Sequence, residues 1–298
     1  LLAKTDLLTE MVGEFPCLQG IMGRYYALAD GESEQVALAL EEQYFPKYSG
    51  APLPDSFCGQ ILAVAEKIDT LTGIFSVGLI PTGDKDPYAL RRLALGVLRI
   101  LIEKELELEL NELVRFGLKQ FDHSFDIVTV ETQLIDFIYE RLRSYFLENG
   151  YTADEFESVY ALGTLTPLDF KQRLRAVKSF RELPDAENLS SANKRIRNIL
   201  KKSATKPSED FSLLVTEEEK NLLETAIRTA REIKPLLEAN NYQAALNHLA
   251  QLRGDVDNFF ENVMVMVDDI NLRAARLGLL QMLSEQFLKI ADISKLQP

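Results

Sequence analysis

An all-α chain is what the sequence predicts, on three observations. Apolar residues recur at intervals of three and four along nearly every long segment. Helix stops and starts (Gly-Glu-Phe-Pro at 13–16, Leu183-Pro184, Asn149-Gly150) punctuate those segments. No pair of alternating runs flanks a two-residue turn of the kind that makes a β-hairpin.

Taken in order, Leu1–Val12 reads as a helix with Leu1, Leu8, Met11 and Val12 inward. Leu18–Asp30 follows, with Gly20 and Gly23 permitting close helix approach, and then Glu34–Tyr44 and a Pro/Gly-rich loop, Pro46–Asp55. Phe57–Leu71 places Ile61, Leu62, Ala65, Ile68 and Leu71 on one face. The stretch Gly73–Pro87 is irregular. It is not a phosphate loop, because Gly83-Asp84-Lys85-Asp86-Pro87 puts two carboxylates where phosphate would sit and lacks GKS or GKT. Asp86 as N-cap and Pro87 at the first helical position predict a helix over Pro87–Lys104, with Leu90, Leu93, Ala94, Val97, Leu98 and Leu101 inward.

Glu103–Glu112 alternates Leu with Glu, yet both residues favour helix, so it joins two helices rather than forming a strand. Leu113–Phe121 is helical, Asp122–Asp126 is a loop with His123 on the surface, and Val130–Asn149 carries Leu134, Phe137, Ile138, Leu142, Tyr145 and Phe146 inward. The domain boundary is placed at that loop, giving domains 1–122 and 123–298. Phe170, Leu174, Val177 and Phe180 draw the stripe of the next helix, and Ser190 or Ser191 caps the one after it. Thr216–Leu237 opens on three glutamates suited to the positive end of the helix dipole, and Pro235 is expected to kink its last turn. Tyr242–Leu252, Val256–Val267 (with Met264 and Met266 filling core) and Leu272–Ile290, capped by Asp268-Asp269, complete the chain.

Charge gives the functional signal. The 298 residues carry 33 Lys and Arg against 46 Asp and Glu, a net −13. Residues 163–206 reverse this, with 11 basic and 4 acidic residues, so +7 sits in one block and the remainder holds −20. Lys171, Arg175 and Lys178 share one face of the first helix in the block; Lys194, Arg197 and Lys201 line up on the second. Two basic ridges suit a nucleic-acid backbone; a solvated basic face balancing acidic neighbours is the plainer alternative. No run of about 18 apolar residues is present, so no membrane span is expected. Cys17 and Cys58 have neither CxxC spacing nor a nearby His, which argues against a disulfide framework or zinc site and fits a reducing cytoplasm. The chain opens on Leu1 inside an expected helix, without Met or signal peptide, and is expected to be a piece of something longer.

Longer stretches are more specific. LLAKTDLLTEMVGEFPCLQGIMGRYYA (Leu1–Ala27) and DTLTGIFSVGLIPTGDKDPYALRRLALGVLRI (Asp69–Ile100) closely resemble the β subunit of the bacterial heterotetrameric type of glycyl-tRNA synthetase. SFRELPDAENLSSANKRIRNILKK (Ser179–Lys202) and FFENVMVMVDDINLRAARLGLL (Phe259–Leu280) are similar to its anticodon-binding region. The resemblance implies an all-α architecture: an HD-like helical domain followed by a helical anticodon-binding domain of the arginyl-tRNA-synthetase (DALR) type. It implies tRNA(Gly) and the synthetase α subunit as partners, with no DNA and no membrane. Glycine activation, with its ATP and Mg, belongs to the α subunit, so no catalytic residue and no cofactor is expected on this chain.

A working HD site needs a His, a His-Asp pair and a further Asp. The pair falls only at Thr5-Asp6 here, and His123 and His248 lie outside the HD-like part, so no metal site is expected and a metal-dependent phosphohydrolase is the rejected alternative. A helical assembly scaffold with no RNA role is the third reading. The expected phosphate contacts are Lys171, Arg175, Lys178, Lys194, Arg195 and Lys201, and the expected base-edge contacts are Asn193 and Arg197. Lys85, Arg91 and Arg92 serve either tRNA backbone or ion pairs within their own domain.

Overall fold

The computed structural model describes residues 2–83, 85–163 and 166–297. Leu1 and Asp84, both used above, lie outside the described residues. Among those described there is no strand, only an isolated bridge between Thr82 and Lys85, and the chain is all-α as its periodicity predicts. The helices are α1 Glu10–Glu14, α2 Ile21–Ala29, α3 Glu34–Glu42, α4 Phe57–Ser76, α5 Leu90–Glu103, α6 Leu110–Leu118 and α7 Ile127–Glu148. They continue as α8 Ala153–Tyr160, α9 Pro167–Arg181, α10 Ala186–Lys202, α11 Glu217–Glu238, α12 Tyr242–Ala250, α13 Arg253–Asn262 and α14 Ile270–Leu288.

The chain divides into two compact units, Leu1–Tyr145 with Thr166–Leu168, and Phe146–Leu165 with Asp169–Pro298. The division falls inside α7, 23 residues beyond the 122/123 boundary placed from the loop. Loop polarity marked the start of α7, but this long helix gives Phe75 a ring partner in Phe137 at 5.3 Å and gives Phe170 one in Phe146 at 5.5 Å, so its two ends serve different cores.

In the first unit α4 is central and packs on α3, α5 and α6. Its buried face is Ala63, Val64, Lys67, Ile68, Leu71, Thr72 and Phe75, against Leu90, Ala94, Val97, Leu98 and Leu101 of α5. That corrects the predicted stripe: Ile61 and Ala65 are exposed and Leu62 is half-buried. The helix also runs past Leu71 to Ser76, and Gly73 within it lets the Phe121 ring lie close, 3.0 Å from where a Cβ would stand. The N-terminal helix expected over Leu1–Val12 is broken instead. Thr9 is extended and caps α1 through its hydroxyl, while Leu8 and Met11 face solvent and only Val12 is buried among the described positions of that stripe. The cause is Asp6, buried at the break, whose carboxylate accepts from the Gly20 N–H at 2.7 Å and the Tyr44 hydroxyl at 3.0 Å. Gly23 packs against the same side chain.

Helix α5 begins at Leu90 rather than Pro87, since Ala89 takes a left-handed conformation, φ 54°. Asp86 still caps it from the preceding turn, accepting from Leu90 N–H at 2.8 Å and Arg91 N–H at 3.0 Å. The Glu/Leu alternation forms a connection between α5 and α6, with no strand.

In the second unit the predicted stripe of α9 is fully buried at Phe170, Leu174, Val177 and Phe180. Phe146, Phe156 and Phe170 cluster with centroids 4.9 to 6.5 Å apart. Helix α10 starts at Ala186, one turn before the expected serine caps; Ser190 is buried within it. Helix α11 packs on α12, α13 and α14. Thr216 and Glu219 form a reciprocal capping box at its start, and the helix continues through Pro235 to Glu238. Helix α13 ends at Asn262, so Val263–Val267 is not helical. There Val263 and Val265 are buried whereas Met264 and Met266 are exposed, which overturns their expected place in the core. Asp269 caps α14 by accepting from Asn271 and Leu272 N–H.

Candidate nucleic-acid interface

Helix α10 forms because Leu189 and Ile196 bury one face against α13, α14 and the C-terminal turn Ile293–Lys295, leaving its charged face outward. Lys194 and Lys201 are exposed with no hydrogen bond or ion pair among the described residues. Arg195 is exposed too, but is held in place: its guanidinium sits 4.2 Å from the centre of the Phe260 ring on α13, a cation–π pair. Arg197 reaches back to buried Asp292, an ion pair that ties α10 to the C-terminal turn. Asn193 is only 4% exposed. The structure therefore removes Asn193 from base contact and gives Arg197 a structural partner. Helical spacing had grouped Arg197 with the outward face, whereas the C-terminal turn packs on α10 and claims it through Asp292.

On α9, Arg175 is exposed and Lys171 half-buried, neither with a hydrogen bond or ion pair among the described residues, though the Arg175 charge acts on the Tyr151 hydroxyl. Lys178 is engaged: its ammonium donates to the Gly150 carbonyl at 2.8 Å and lies 4.9 Å from the Tyr151 ring. It neutralises carbonyls at the end of α7, where basic side chains are favoured. In the first unit, Arg91 donates to the Gly83 carbonyl, and Lys85 and Arg92 are exposed without ion pairs among the described residues.

Several residues that hold this region carried no local signal. Arg173 donates to Asp169 at 2.8 Å and to the carbonyls of Lys289 and Ile290, and lies over the Tyr242 ring. Burial, followed by the hydrogen bond to Asp169, pushes the Tyr242 hydroxyl up to about 12. Glu219 and Arg276 form a buried pair at 2.6 Å, and Arg276 also donates to the Met264 carbonyl at 2.7 Å. Burial opposes the charge on Glu219, but N–H donation from Thr216 and Val215 and the Arg276 guanidinium hold its carboxyl below the usual range. Apart from Arg173–Asp169, four residues apart on one helix, and Arg276–Met264, twelve apart, these partners are 57 to 117 residues apart, beyond the reach of any spacing rule.

Among the described residues no three His, Cys, Asp or Glu side chains converge as a metal-binding group. No described helix is long and apolar enough to cross a membrane. The Asp6 carboxylate is taken up by the Gly20 N–H and the Tyr44 hydroxyl.

A helical unit that buries its apolar stripes and leaves unpaired cations along one helix has the make-up of a nucleic-acid-binding module, and residues 189–297 match the family profile described as "DALR anticodon binding domain". Residues 1–161, more than half of the chain, match the profile "Glycyl-tRNA synthetase beta subunit", and the chain belongs to that family. Its relatives include proteins named "Glycine--tRNA ligase beta subunit" from Pseudomonas aeruginosa (51% identical), Stutzerimonas stutzeri (49%) and Pseudomonas putida (48%). Each alignment covers 99% of this chain and 44% of the relative, so the chain spans less than half the length of the curated relatives it matches.

Proposed function

We propose that this chain is the tRNA-recognition portion of the β subunit of a cytoplasmic glycine–tRNA ligase. It binds tRNA(Gly), including the anticodon stem-loop, for glycylation by the α subunit, which uses the ATP and Mg. The observation that carries this reading is the outer face of α10 inside the anticodon-binding match: Lys194 and Lys201 are unpaired, and Arg195 is fixed on Phe260 between them. The lysines supply phosphate contacts. Arg195, its plane held by an aromatic ring, offers a platform on which an unstacked loop base rests. Lys171 and Arg175 extend the phosphate contacts; Lys178 and Arg197 act by positioning α9 and α10. In the first unit, Lys85 and Arg92 remain available for tRNA backbone.

The test is tRNA(Gly) binding by Lys201→Ala and Arg195→Ala proteins across a salt series. Losing a phosphate contact at Lys201 lowers affinity for all tRNAs alike and reduces the log–log salt slope by about 1. Losing Arg195 lowers affinity for tRNA(Gly) more than for a tRNA with an altered anticodon. Unchanged binding in both variants rules out α10 as the interface.

A further inference from the structure

The first unit carries a surface groove of about 330 Å³ that the tRNA reading does not use. One wall is a stripe of α4, Ile61, Ala65 and Ile68; the other is Leu113 and Phe116 of α6 and the adjoining Gln120. Both stripes follow the i, i+4, i+7 or i, i+3, i+7 spacing of a helix face. Leu106 and Leu108 of the connecting segment close the lining. Large apolar side chains stand open to water here: Phe116 is 70% exposed, Ile61 52% and Leu108 41%. These include residues whose spacing predicted a core, which α4 instead builds one face further round.

Two helical ridges with an apolar trough between them accept a third helix, and seven residues of helix span about 10 Å, or two turns. The charge around the trough selects the kind of helix. Asp69 lines it, and Glu105, Glu107, Glu109 and Glu112 are exposed in the segment that supplies Leu106, Leu108 and Leu113. Asp69, Glu105, Glu107 and Glu109 have no ion pair among the described residues, while Glu112 acts on Arg115 three residues on. Nearby cations are few: Lys104 is paired with Asp55 and Arg115 with Glu131, leaving exposed Lys119. Such a rim repels a polyanion and an anionic membrane and favours a cationic partner.

We propose that the α4–α6 groove is a docking site for an amphipathic helix of a separate polypeptide. That helix has apolar residues at i, i+3/i+4 and i+7, flanked by Lys or Arg. This proposal stands apart from the tRNA-binding one, which uses other residues.

The test measures binding of two labelled peptides of about 18 residues to the full chain by fluorescence anisotropy. They share one Leu/Ile face and differ only in Lys or Glu flanks. The Lys-flanked peptide binds at least about tenfold more tightly. Phe116→Asp abolishes that advantage with the helical circular dichroism unchanged, and Glu107→Lys with Glu109→Lys reverses the preference. The preference for tRNA(Gly) over the same tRNA with an altered anticodon is unaltered in both, so the two proposals fail separately. Equal binding of the two peptides, or binding of neither, overturns the proposal. Two other outcomes also do so, by assigning the groove to lipid or to a second copy: phosphatidylserine–phosphatidylcholine vesicle binding lost on Phe116→Asp, or self-association lost on the same change.

Discussion

Lys67 provides a test of the first unit's packing that is independent of any ligand. Its side chain is 2% exposed inside α4, and its ammonium donates to the Gln43 carbonyl at 3.1 Å and the Ala63 carbonyl at 3.4 Å, with Glu66 at 3.8 Å. Gly96 of α5 makes room for it, since a Cβ there would stand 3.0 Å from the Lys67 chain. Burial pushes the ammonium down from 10.5 to about 8, against the pull of Glu66. A folded-state value below the unfolded one means the unfolded chain binds more protons between about pH 8 and 10.5, so stability contributed by this group rises with pH across that window. The drop corresponds to about 3 kcal/mol at about 1.4 kcal/mol per pH unit. In Lys67→Met the titration is gone. Near neutral pH the variant sheds the cost of a desolvated ammonium but strips the side-chain donor from the Gln43 carbonyl, worth about 1–3 kcal/mol when unsatisfied, so the terms oppose. The slope is the diagnostic. Urea unfolding followed by circular dichroism, at intervals from pH 7 to 10, is expected to show wild type gaining about 2 kcal/mol on Lys67→Met by about pH 9.5. Parallel pH profiles, or a wild-type advantage that shrinks as pH rises, would refute the placement of Lys67 as a buried cation.

Other expectations concern the second unit. Arg276→Ala leaves the buried Glu219 carboxylate with backbone N–H donors but no counter-charge and is expected to cost about 3 kcal/mol in urea unfolding; adding Glu219→Gln recovers part of that loss. Glu219 titrates low in the folded chain, so its contribution is complete above its unfolded value and lost as pH falls through the folded one. Acid unfolding of Arg276→Ala therefore begins at higher pH than in wild type. Gly278→Ala places a Cβ 1.8 Å from the Ser208 carbonyl oxygen, a backbone atom held by the Ser208 N–H bond to Ala274, and is expected to destabilise by at least about 2 kcal/mol in the same assay. Phe260→Leu removes the ring beneath Arg195 while keeping an apolar side chain. It is expected to weaken tRNA(Gly) binding about as much as Arg195→Ala, with the salt slope nearly unchanged.

The helices that bury a whole stripe were legible in the sequence. Phe170, Leu174, Val177 and Phe180 specify α9 because nothing polar interrupts the face. Where a polar group is itself buried, periodicity misleads. Asp6 ends the first helix by taking two distant donors, and Lys67 rotates the buried face of α4 away from its most apolar stripe. Helix starts drifted by about a turn for similar reasons, since Asp86 caps α5 from outside it and α10 begins without a side-chain cap. The candidate site was half legible. Charge counting found the block and helical spacing found Lys194, Arg197 and Lys201, but spacing could not reveal that Asp292, nearly a hundred residues on, claims Arg197. Nor did it expose Phe260 as the seat of Arg195, because only the packing of α10 on α13 brings them together.

The central claim is anticodon-dependent tRNA recognition, and the most direct measurement is binding of the chain to tRNA(Gly) and to tRNA(Gly) with an altered anticodon across a salt series. With about four to six phosphates neutralised, the predicted log–log slope is roughly −3 to −5 for both RNAs, and the altered anticodon binds more weakly at every salt concentration. Equal affinity for the two RNAs, or a flat salt dependence with the chain shown to be folded, would contradict it.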